Sequence, residues 1–150
     1  MSDNWLQFIP VDPTFVPPES VRTAAIRLLE TWLPEADEIT GDVAEEIQLV
    51  DAGANLQSIH CPACRAPVDI DWWTEATDSA SERGFADRMV AMPCCGGLVD
   101  LNELDYDWPQ GFARFSLSAM NPNVQSLSPD QESRLAEVLG TPLRRIWTHI

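Results

Sequence analysis

Residues 112–150 read FARFSLSAMNPNVQSLSPDQESRLAEVLGTPLRRIWTHI, and this stretch decides the fold. Ala113, Phe115, Leu117 and Ala119 alternate with Arg114, Ser116 and Ser118, the period-2 pattern of a strand with one apolar face. Ser128-Pro129-Asp130-Gln131 then supplies an N-cap, a proline at the first helical position and a capping-box glutamine, while Gly140 and Pro142 close the helix. Residues 143–150 are short and β-branched in part, which predicts a strand returning to the sheet. A β-α-β succession of this kind predicts two strands running parallel, joined by a crossover helix.

Upstream, residues 86–92 and 98–101 read as short strands, and Asp69 or Asp71 caps a helix that carries Trp73, Ala76 and Ala80 and stops at Gly84. Ser20 is placed to cap another helix running to about residue 33, since Val21, Ala24, Ala25, Leu28 and Trp32 recur at helical spacing before Pro34. Residues 1–19 set Pro10, Pro13, Pro17 and Pro18 among Trp5, Phe8, Ile9 and Phe15, which predicts an extended N-terminal arm lying on the domain. Residues 35–46 hold six acidic side chains and no basic one, which predicts a solvated loop, because like charges are costly to bury together. Val43, Ile47 and Leu49 then alternate as a strand, residues 51–55 turn, and residues 56–60 read as its hairpin partner. The expected class is α+β: a mixed sheet, three helices and a small hairpin element, in a single domain over residues 1–150. A chain of that length buries roughly 70% of its unfolded surface.

Nine basic against 24 acidic side chains give a formal net charge of −15, which repels nucleic acid and anionic membranes. All nine basic residues are arginines, so Schiff-base chemistry, a P-loop lysine and a kinase-type ATP lysine are excluded. The first residues lack a basic leader pattern, and residues 89–99 fall far short of the ~20 apolar residues that span a bilayer. A cytoplasmic protein with no membrane and no direct nucleic-acid partner is expected.

Cys61-Pro62-Ala63-Cys64 and Cys94-Cys95-Gly96-Gly97 hold all four cysteines, with 29 residues between Cys64 and Cys94. Two tight clusters at strand ends suit a tetrahedral thiolate site, in which each sulfur stands about 2.3 Å from one ion. The expected ligands of a structural Zn2+ are Cys61, Cys64, Cys94 and Cys95, with His60 as an alternative ligand. A redox dithiol, a vicinal disulfide or reduced cysteines without metal are the other readings. A thioredoxin-like site needs its Cys-x-x-Cys at a helix N-terminus, whereas Pro67 disfavours a helical Ala66.

On these residues the segment 55–101 resembles the zinc ribbon group, whose element is two knuckles of the form Cys-Pro-x-Cys-Gly. Arg65 stands where that pattern has a left-handed glycine, a change costing about 1–2 kcal/mol if the geometry is kept. Aligning Cys95-Gly96 with Cys64-Arg65 places Met92 at the first ligand position. The fourth ligand is then Cys94, His60 or a carboxylate such as Asp71. Together with Tyr106-Asp107-Trp108-Pro109, Asn121-Pro122 and residues 142–147, these landmarks are similar to a set of small uncharacterised bacterial zinc-ribbon-like proteins. That resemblance implies a bacterial, metal-bearing α+β domain and brings no activity with it.

Only His60 and His149 are available as imidazole bases, and four thiolates usually close a metal's coordination sphere. The acidic segments 35–46 and 100–107, the latter interleaved with aromatic residues, point instead to recognition of a basic protein. The candidate contacts are Asp37, Glu38, Asp105, Asp107 and Trp108. The expected function is thus a non-enzymatic, acidic, metal-stabilised protein-binding domain, for example an immunity or inhibitor protein against a basic toxin or nuclease. The alternatives are a small metal-dependent hydrolase or thiol redox enzyme, with Asp71 or Glu75 as base, and a zinc-ribbon accessory attached to a nucleic-acid machine through a protein subunit.

Overall fold

The structure, a computed structural model, describes residues 2–150, so Met1 lies outside it. In chain order the elements are β1 (Asn4–Pro10), α1 (Glu19–Trp32), β2 (Glu38–Val50), β3 (Ile59–His60), α2 (Ile70–Ser81), β4 (Met89–Ala91), β5 (Leu98–Asp100), a 3-10 turn (Leu101–Glu103), β6 (Asp105–Tyr106), β7 (Gly111–Met120), α3 (Pro129–Leu139) and β8 (Leu143–His149).

The principal sheet has the order β2-β7-β1-β8, and its named strands pair antiparallel. An isolated parallel bridge between Gly53 and His149 makes it mixed at the β8 edge. α1 joins β1 to β2 across β7, and α3 joins β7 to β8 across β1, which is the connectivity of two interleaved split β-α-β units, the ferredoxin-like arrangement. The α+β class and the three helices are as expected. β7 and β8 do run the same way, but β1 lies between them.

The intervening strand is the segment expected to be an arm. Leu6 and Phe8 of β1 face the helices and are buried beside Phe115 and Leu117 of β7, Leu29 of α1 and Leu135 of α3. The prolines mislead because Pro10 falls at the strand's end and Pro13, Pro17 and Pro18 fall in the connection to α1. That helix begins at Glu19 after Pro18 with no side-chain cap, so Ser20 does not cap it. α2 is capped by Asp69, whose side chain accepts from Asp71 N, and α3 carries the full capping box between Ser128 and Gln131.

Residues 38–46 are strand rather than loop. β2 pairs with β7 from Glu38 opposite Met120 to Val50 opposite Gly111, with the register shifting between Val43 and Gln48. An edge strand needs only its backbone for pairing, so Glu38, Asp42, Glu45 and Glu46 remain exposed, and a charged edge discourages addition of a further strand.

Residues 51–110 form an excursion between β2 and β7. β3 pairs with β6 rather than with β2, and β4 pairs with β5. The expected single ribbon hairpin is therefore two small two-stranded sheets. Ile59, Cys61, Trp73, Met92, Leu101 and Tyr106 pack there against Phe112 of β7, so the excursion is seated on the main sheet. The indole N–H of Trp73 donates to Tyr106 Oη at 3.1 Å, and that hydroxyl donates to Leu101 O at 2.6 Å, which satisfies both buried polar groups.

If β1 is a central strand, Leu6→Ala should lower unfolding stability by about 2–5 kcal/mol, the range for truncating a fully buried leucine. Urea denaturation followed by tryptophan emission measures it, and a loss well under 1 kcal/mol would return β1 to the role of a loose arm.

Candidate metal centre

The chain leaving β3 turns at Cys61-Pro62-Ala63-Cys64, where Cys61 N donates to Ala66 O at 2.9 Å and Arg65 N donates to Cys61 O at 2.9 Å. The turn between β4 and β5 repeats this framework: Met92 N donates to Gly97 O at 2.9 Å and Gly96 N to Met92 O at 2.8 Å. Arg65 and Gly96 occupy equivalent left-handed positions, with φ of 69° and 72°. The two turns therefore superpose as Cys61 on Met92, Ala63 on Cys94 and Cys64 on Cys95. Met92 fills the core beside Cys61, and Cys94 takes the place of Ala63.

The four sulfurs lie within 4.8 Å of one another. Cys61 Sγ stands 4.0 Å from Cys95 Sγ, and Cys64 Sγ stands 3.3 Å from Cys94 Sγ. A tetrahedron with metal–sulfur bonds of about 2.3 Å has edges of about 3.8 Å, a value these two separations straddle. Four cysteines thus lie close together, unbridged, and could bind a metal ion. His60 lies outside this cluster, engaged in pairing with Asp105 and bridging Pro67.

Only Cys61 is buried, while Cys64, Cys94 and Cys95 are exposed, so the cluster sits with one anchor in the core and three sulfurs at the surface. The backbone N–H of Cys64, followed by that of Ala63, lowers the Cys61 thiol to about 7 despite the opposing effect of burial. The hydrogen bond with Cys64, and then burial, push Cys94 up to about 12. Sulfurs this close cannot all be anionic without a cation among them. A bound cation reverses that balance and displaces the remaining protons.

The candidate partner contacts fall in different places. Asp37 and Trp108 line one open cavity of about 1020 Å³, together with Glu35 and Trp147. Asp105 lines a smaller one of about 200 Å³ with Arg144. Glu38 is exposed at the start of β2. Asp107 is tied to the segment before β3: burial pushes its carboxyl up, but the backbone N–H groups of Gln57, Ser58 and Trp108 outweigh that and hold it below the usual range. Sequence reasoning missed that Glu35 and Asp37 meet Trp108 and Trp147, because these side chains come from three separate segments.

Fold and cluster together define an antiparallel split β-α-β domain with an inserted four-cysteine element between β2 and β7. Comparison with known proteins finds no matching family model, no similar curated protein and no matching solved structure.

Because the two turns share one framework, Cys94→Ala should lose four-thiolate binding and the double variant Met92→Cys/Cys94→Ala should regain it. Cobalt(II) titration read by thiolate-to-metal charge-transfer absorption measures both, and a double variant as weak as Cys94→Ala would refute the equivalence. Uptake at fixed metal should also fall as the pH is lowered, with protons released on binding, since the thiols must ionise to ligate.

Proposed function

We propose that the chain is a non-enzymatic, zinc-stabilised protein-binding domain whose partner is a basic protein. The observation that carries the reading is the donor set, four cysteine sulfurs within 4.8 Å. Tetrahedral sulfur-only sites favour zinc or iron–sulfur centres, and four protein thiolates leave zinc no open position for a substrate. The paired turns support a zinc-ribbon-like element, in keeping with the resemblance to bacterial proteins of that kind. The role of the ion is then to hold together an excursion whose strands are only two or three residues long.

The net charge of −15 supports a cationic partner, since opposite charge speeds encounter. An immunity or inhibitor protein against a basic toxin or nuclease is the concrete form of this reading. A reducing cytoplasm suits unbridged cysteines. Among the described residues, no helix is long and apolar enough to cross a membrane.

Metal analysis should give one zinc per chain, with thiols slow to react until a chelator is added. Chelation should then speed amide exchange in the excursion around Ile59 and Tyr106 well before β1, β7 and β8. Fast-reacting thiols in the zinc-loaded protein would favour thiol chemistry instead. A partner recovered from the native source should be basic and should associate at a rate that falls as salt rises. Recovery of acidic partners alone would overturn the reading.

A further inference from the structure

The open cavity at the end of the main sheet combines features that the metal element does not use. It lies where β7 ends beside the starts of β1 and β2, and the excursion closes one side through Trp108. Trp108 is 41% exposed and Trp147 is half-buried, so both indoles border the cavity while belonging to different elements. Glu35 and Asp37 supply two carboxylates, and no basic side chain lines the cavity among the described residues.

Three of the five carboxamides that line it are committed as donors. Asn121, held at a positive φ of 48°, donates from Nδ2 to Asp37 Oδ2 at 2.8 Å and to Asp3 Oδ1 at 3.0 Å. Asn123, at φ 58°, donates from Nδ2 to Glu35 Oε2 at 2.6 Å. Asn55 Nδ2 donates to Trp147 O at 3.0 Å. The bonds from Asn121 and Asn123 orient the two carboxylates, and all three side chains thereby spend an N–H donor within the protein. The lining therefore offers carboxylate acceptors, their negative charge and two indoles. A group that satisfies all three is a cation bearing N–H donors, since it pairs with carboxylates and is attracted to indole π-faces.

The geometry points to this cavity as the binding site for a guanidinium or primary ammonium group carried on a basic segment of the partner. The inference deepens the protein-binding reading above and rests on it for the source of the cation. Fixed carboxylates favour the planar, two-pronged donor set of arginine over the point charge of lysine. Most of the recognition is in place before the partner arrives, so little ordering is required on binding.

The test titrates the zinc-loaded full chain at low salt with a blocked tetra-arginine peptide, with agmatine and with a blocked tetra-glutamate peptide. Calorimetry and the indole N–H resonances are read together. The arginine peptide should bind saturably at one site and shift the indoles of Trp108 and Trp147, leaving those of Trp72 and Trp73 in place, and the glutamate peptide should not bind. Trp108→Ala and the double variant Glu35→Gln/Asp37→Asn should each weaken binding by about tenfold or more, as truncation of a binding anchor does. Removing the same two charges elsewhere, by Glu30→Gln/Asp78→Asn on the exposed faces of α1 and α2, should leave it within about twofold, because a diffuse field is not the source. Trp108 lies outside all three apolar clusters, so its truncation does not put folding at risk.

Full-strength peptide binding in the cavity variants overturns the cavity proposal and leaves a basic partner standing. Equal weakening by the remote charge variant overturns it as well. Saturation of the same indoles by agmatine, with no binding of the peptide, upholds the cation site and overturns the basic-protein reading.

Discussion

The two-sided backbone ladder of β1 is the constraint on which the remaining structure depends. β8 pairs only with β1 in the principal sheet, and β7 reaches β8 only through it. Its register runs from Asn4 opposite His149 to Pro10 opposite Leu143 on one side and from Trp5 opposite Met120 to Phe8 opposite Leu117 on the other. These pairings bring both crossover helices to the same face, where Leu6 and Phe8 complete the apolar layer beneath them. They also join the first residues of the sequence to the last, so the sheet closes only after its most distant segments meet. Such non-local closure slows folding relative to helical bundles of similar size.

The excursion faces a different problem. Its β-ladders are too short to stand alone, and its apolar residues depend on Phe112 and Ile47 of the main sheet for part of their cover. A hydrogen-bonded pair, Trp73 and Tyr106, supplies a cross-link that short strands cannot, and an ion held by the four sulfurs would supply another. Placing Cys61 in this core couples the sulfur cluster to the sheet: movement of the β3 turn would disturb both the donors and the packing around Met92.

How much of this is legible in the sequence depends on the range of the interaction that fixes each element. α3 is readable because its cap, its first-turn proline and its closing Gly140 are all local. The cysteine cluster is readable because the paired motifs state the chemistry, and the alignment that puts Met92 at the first ligand position follows from Gly96. β1 is not, since its prolines argue against a strand and only the partners β7 and β8 make it one. β2 is not readable from residue 38 onward because an edge strand tolerates the charge pattern of a loop. The pairing of β3 with β6 joins segments more than forty residues apart, which local periodicity cannot disclose. The cavity is the least legible feature, assembled from side chains that are individually ordinary.

The two sulfur-bearing turns keep the same hydrogen bonds while placing their cysteines differently. Backbone scaffold and donor identity are therefore separable here: the second turn carries its sulfur at the position of Ala63 rather than that of Cys61, with the same loop hydrogen bonds. The same loop thus brings a sulfur to the cluster from its first position in one turn and from its third in the other. Text patterns built on Cys-x-x-Cys spacing record only one spelling of the turn, so surveys that rely on them undercount the sites that this loop geometry can build.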